Sequence, residues 1–88
     1  MTIKTKFNIG ERVWVTYSYK GEIEVYSDEI DSFVIEKDGR VSVYFKNSDA
    51  LDVYEEDLIA YGDDQGLLES IKKLDREIIE KEKKNENN

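Results

Sequence analysis

Phe33-Val34-Ile35-Glu36-Lys37-Asp38-Gly39-Arg40-Val41-Ser42-Val43-Tyr44-Phe45 holds two apolar-rich runs separated by Asp38-Gly39. Asp-Gly between such runs is the strongest short-range hairpin signal, because both central positions of a type I′ turn take positive φ. Side chains alternate along a strand, so Val41, Val43 and Phe45 share one face of the return strand. The chain around this hairpin therefore reads as β.

Upstream, Arg12-Val13-Trp14-Val15-Thr16-Tyr17 puts Val13, Val15 and Tyr17 on one face. After a polar turn at Tyr19-Lys20-Gly21, Glu22-Ile23-Glu24-Val25-Tyr26 alternates again, with Ile23 and Val25 expected inward. The acidic Ser27-Asp28-Glu29 is expected to be a loop leading to the hairpin. Downstream, Asn47-Ser48-Asp49 reads as a turn, Leu51-Asp52-Val53-Tyr54 as a short strand, Glu55-Glu56-Asp57-Leu58 as one helical turn, and Ile59-Ala60-Tyr61 as a closing strand.

The pattern changes at Gly62. Asp63 or Asp64 can cap a helix. Leu67, Ile71, Leu74 and Ile78 then follow at spacings of four, three and four, one face of a helix. Glu69 and Lys73, Glu77 and Lys81, and Glu80 and Lys84 are expected as i,i+4 pairs, each adding about 0.2–0.5 kcal/mol to an isolated helix. Lys81, Lys83 and Lys84 suit the negative end of the helix dipole. Asn85-Glu86-Asn87-Asn88 has nothing to bury and is expected to fray. The expected division is 1–61 β, 62–84 helix and 85–88 tail.

Short strands with tight turns over residues 7–61 point to a mainly β fold, a small five-stranded antiparallel barrel with one C-terminal α-helix. An open sheet this small would leave edges exposed. If Val13, Val15, Ile23, Val25, Val41 and Val43 fill it, then Trp14, Val34 and Tyr44 point outward. The helical stripe must find an apolar surface: Trp14 and its neighbours, a second copy of the helix in a homodimer, or another protein. All three stay open at this point.

Phe7-Asn8-Ile9-Gly10-Glu11-Arg12-Val13-Trp14-Val15, Tyr19-Lys20-Gly21-Glu22-Ile23, Val41-Ser42-Val43-Tyr44-Phe45 and Tyr54-Glu55-Glu56-Asp57-Leu58 together resemble the SH3-like barrel family, in the broad sense that includes KOW and Tudor-type modules. The resemblance implies an SH3-like barrel and a binding role of unspecified kind, because this fold hosts many unrelated activities. The acidic, lysine- and asparagine-rich make-up also looks like that of accessory proteins of phages infecting Gram-positive bacteria.

Charge narrows the function classes. The formal net charge is −8, and between Lys46 and Lys72 lie Asp49, Asp52, Glu55, Glu56, Asp57, Asp63, Asp64 and Glu69 with no basic residue. A second such stretch, between Lys20 and Lys37, holds Glu22, Glu24, Asp28, Glu29, Asp31 and Glu36. Direct nucleic-acid binding is disfavoured, since it draws its affinity from cations on phosphates. The chain has no cysteine and no histidine, which removes disulfides, thiolate metal sites and the commonest general base. No carboxylate spacing supports a catalytic pair, and the twelve-residue calcium loop is missing. No catalytic residue, metal or cofactor is therefore expected. No apolar run matches a membrane span, so no membrane partner is expected and the cytoplasm is the expected compartment.

Two readings of the acids remain open: a solvated face that resists aggregation, or a docking surface for a basic protein. In the second, Asp49, Asp52, Glu55, Glu56, Asp57, Asp63 and Asp64 steer the partner, and Trp14, Tyr44 or Tyr54 anchors it. Its most concrete form is a phage-encoded inhibitor that imitates duplex DNA, which carries one negative charge per about 1.7 Å, against a host nucleic-acid-binding protein. The alternative is a module that reads peptides or nucleic acid through surface aromatics, by cation–π or groove docking.

Overall fold

The computed structural model describes residues 5–50 and 52–86. Its elements are β1 (Arg12–Tyr19), β2 (Glu22–Ile35), β3 (Val41–Phe45), a 3₁₀ turn at Glu55–Asp57, β4 (Ile59–Ala60) and α1 (Asp64–Glu86). The strands form one four-stranded antiparallel sheet in the order β3-β2-β1-β4.

This open sheet overturns the five-stranded SH3-like barrel. The expected break at Ser27-Asp28-Glu29 does not occur, and β2 runs unbroken through it for 14 residues. Its first part pairs with β1, from Tyr19↔Glu22 to Arg12↔Glu29, and its second with β3, from Ile30↔Phe45 to Ile35↔Val41. The acids are accommodated because Asp28 is stitched in, accepting hydrogen bonds from the Glu29 N–H (2.7 Å) and the Asn47 side-chain amide (3.0 Å). The expected strand at 51–54 does not form: Leu51 lies outside the described residues, and Tyr54 makes only an isolated bridge to Ser42. β4 pairs with β1 and not with β3, so the sheet does not close among the described residues.

The two hairpins exchange the expected turn chemistry. The two-residue turn is Lys20-Gly21, with both residues at positive φ (52° and 80°), as a type I′ turn requires. At Asp38-Gly39 only the glycine is left-handed (φ 89°). The loop there is longer: the Gly39 N–H donates to the Glu36 carbonyl (3.0 Å), and the Asp38 carboxylate accepts the Arg40 N–H (3.0 Å).

A bulge sets the phase of β2. The register steps from Ile30↔Phe45 to Ser32↔Tyr44, leaving Asp31 as the extra residue. A strict alternation would turn Phe33 away from Ile30. The bulge instead lets Ile30 enter the core and Phe33 pack against it, with Phe7, Val13, Val15, Val43, Phe45 and Leu58. Because Val15 faces Tyr26 across the ladder, Ile23 and Val25 lie on the opposite face, not inward as expected. Ile23 is half-buried and Val25 exposed. Val34 and Tyr44 are exposed, and Trp14 is half-buried.

α1 packs against β1, β2 and β4. The Thr16 and Ser70 hydroxyls meet at 2.6 Å, fixing the helix to the face that carries Thr16 and its cross-strand partner Val25. Leu67, Ile71, Leu74 and Ile78 are half-buried, while Leu68 and Ile79 remain exposed. Glu69–Lys73 and Glu77–Lys81 form no ion pair among the described residues, since ordering two exposed long side chains costs about what the contact returns. Of the four residues read as a frayed tail, 85 and 86 belong to α1, and 87 and 88 lie outside the described residues. Among the described residues no helix is long and apolar enough to cross a membrane.

Candidate functional site

The acids of the 49–64 stretch do not share one flank; the fold sorts them into separate roles. Glu55 is 7% exposed, and its carboxylate accepts the backbone N–H groups of Lys6 (2.8 Å) and Phe7 (3.2 Å). It holds the N-terminal segment in place so that Phe7 can fill the core. Glu56 pairs with Arg40 at 2.6 Å, and Arg40 in turn lies 3.6 Å from the centre of the Tyr54 ring. The Glu56 hydrogen bond raises the Arg40 pKa above its ordinary value. Asp63 caps α1, its carboxylate accepting the Gly66 N–H at 3.0 Å, and Asp64 opens the first turn. A carboxylate there satisfies an otherwise orphaned donor and suits the positive end of the helix dipole.

Asp49, Asp52 and Asp57 remain, and the tertiary structure brings these three together. They line a groove of about 1020 Å³, with residues 48–50 and 52–59 on one side and α1 on the other. Glu56 reaches its rim from the same side, and Glu69 and Glu77 face it from the helix with Lys73 between them. The floor is β1 from Val15 to Ser18 together with Tyr26, Val53 and Leu58. Lys73 is the one cation among these lining residues. Arg12 and Lys46 are spent elsewhere, both on Glu29 at 3.6 and 3.2 Å, and Arg40 on Glu56. The groove is thus acid-rimmed with an apolar floor. Spacing of four along a helix puts residues 69, 73 and 77 on one face, so the contribution of Glu77 was readable once a helix was granted. The strand edge on the floor carried no sequence signal.

The three expected aromatic anchors do not come together: two are engaged by other side chains and the third lies exposed. Trp14 stacks on Tyr61 with ring centres 5.1 Å apart, and Arg12 lies 5.8 Å from the other ring's centre. Tyr54 is capped by Arg40. Tyr44 is 42% exposed on β3, opposite Ser32. Beside the groove, the Tyr17 hydroxyl donates to the Glu24 carboxylate, which raises the phenol's pKa above 10.0. Tyr17 also meets Tyr26 edge-on at 6.1 Å, and Tyr26 meets Phe45 at 6.3 Å.

Among the described residues no group of three or more acidic side chains is placed to hold a metal ion. Comparison with protein-family models, with curated proteins and with solved structures finds no match to this chain.

Proposed function

We propose that this protein is a non-enzymatic binding module that takes a basic segment of a partner protein into the acid-rimmed groove. The observation that carries this reading is the meeting of Asp49, Asp52 and Asp57 with Glu69 and Glu77 around an apolar floor. Like charges held close repel and destabilise the compact state, so a groove with Asp49, Asp52, Asp57, Glu69 and Glu77 against the single cation Lys73 suits an electropositive ligand. Charge complementarity speeds encounter, and the apolar floor supplies affinity. The engagement of Trp14 by Tyr61 and of Tyr54 by Arg40 favours this reading over an aromatic cage. A phage-encoded inhibitor directed at a host nucleic-acid-binding protein is the narrower form of the same proposal, and the cytoplasm is the proposed compartment.

The test is calorimetric titration with octalysine at low and at physiological salt. The native protein binds at low salt and more weakly as screening shortens the Debye length to about 8 Å. The Asp49→Asn/Asp52→Asn/Asp57→Asn variant, which leaves the structural Glu55 and Asp63 untouched, loses that binding. Undiminished binding by the variant overturns the proposal.

A further inference from the structure

The groove exists because the sheet fails to close, and its floor is a strand edge. The two-residue Lys20-Gly21 turn makes Tyr19 and Glu22 a hydrogen-bonded pair. Hydrogen-bonded pairs then recur at Tyr17↔Glu24 and Val15↔Tyr26. The intervening residues, Trp14, Thr16 and Ser18, therefore turn their backbone N–H and C=O groups to the opposite edge. β4 is only two residues long and meets Trp14 through Ile59. No strand among the described residues faces Thr16 or Ser18 on that edge, and both residues line the groove. A row of unpaired backbone donors and acceptors is a template for another strand. Tyr26 lines the same groove, and its hydroxyl is buried without a hydrogen-bond partner among the described residues.

From this we infer that the partner binds by strand addition: an extended segment of alternating basic and apolar residues pairs with the Thr16–Ser18 edge of β1. This rests on the reading of the groove as a site for a basic segment and gives that reading its geometry. Alternation follows from the walls, since side chains of an added strand point to opposite faces in turn. One set lies on the sheet face that carries Val15 and Tyr26, and the other on the Thr16 face, where α1 presents Glu69 and Glu77. A second copy of this chain is a poor occupant, because each copy carries a net charge of −8 and the groove is itself acidic.

The experiment uses the whole protein and two peptides of alternating lysine and valine, identical in charge. One is N-methylated on its lysine nitrogens and the other on its valine nitrogens. In a strand all lysine N–H groups point to one edge and all valine N–H groups to the other. Strand addition therefore predicts that one peptide binds about tenfold or more weakly than the other, the loss of about two hydrogen bonds. It also predicts that the unmethylated peptide slows hydrogen exchange at the Thr16 and Ser18 amides. Equal, salt-sensitive binding of both methylated peptides with unprotected amides overturns strand addition and leaves the basic-segment proposal standing. No binding of any peptide at low salt overturns both. A doubled mass in free solution, with Thr16 and Ser18 already protected, assigns the edge to a second copy and overturns the inference.

Discussion

Glu55 and Glu56 are adjacent and chemically identical, yet the fold gives them opposite tasks. Glu55 is buried on the backbone of Lys6 and Phe7, and Glu56 lies in solvent against Arg40. Truncating Glu55 leaves the buried Phe7 N–H unsatisfied and removes the acceptor of the Lys6 N–H. Glu55→Ala is therefore expected to cost about 2 kcal/mol in urea unfolding, while Glu56→Ala stays within about 0.5 kcal/mol. Tyr17 offers a pH test at the same scale. Its pKa is raised in the folded protein chiefly by the hydrogen bond to Glu24, then by loss of hydration. A group raised on folding contributes fully below its unfolded value and loses that contribution as pH rises through the folded one. The native protein is expected to hold its Tyr17 contribution up to about pH 10 and lose it above. Ultraviolet titration of the phenols should show a late-ionising component that Tyr17→Phe removes; an unchanged curve would refute the Glu24 contact.

At the scale of the element, the start of α1 is set by a pair of residues. A glycine in a helix costs about 1 kcal/mol relative to alanine. A Cβ on residue 66 would press into the Asp63 carboxylate that accepts its N–H, so the cap has to shift to admit a side chain there. A double-mutant cycle exposes the coupling. Asp63→Ala should cost about 1 kcal/mol. Gly66→Ala should destabilise the native background and stabilise the Asp63→Ala background by about 0.5–1 kcal/mol. Thermal unfolding of the four proteins checks it, and simple additivity would show that the cap and the glycine are independent. The bulge at Asp31 works on the same scale: one extra residue moves Phe33 onto the core side of the sheet.

For the whole molecule, salt acts in two directions. The net charge of −8 strains the compact state, and screening relieves it. Raising ionic strength from about 0.01 to 0.15 M should raise the unfolding temperature while weakening the binding of octalysine. A fall in both would mean that the acids stabilise the fold through ion pairs. The shape agrees with a small sheet and a long projecting helix. The radius of gyration is 14.8 Å, against about 12 Å for a compact chain of this length.

The strand tendency of Arg12–Tyr26 and Phe33–Phe45, the hairpin at Asp38-Gly39 and the helical stripe from Leu67 to Ile78 were legible along the chain, because alternation, turn residues and i,i+4 spacing are local properties. So was the acidity of the 49–64 segment. Tertiary structure alone decided whether β2 would break at Asp28, since that depends on an amide from Asn47 nineteen residues away. It decided too that the sheet stays open and that Glu55 turns inward while Asp49, Asp52 and Asp57 line one groove with residues of α1. Closure, burial of a charge and convergence on a groove are all settled by contacts between segments far apart in the chain, and no local pattern records them.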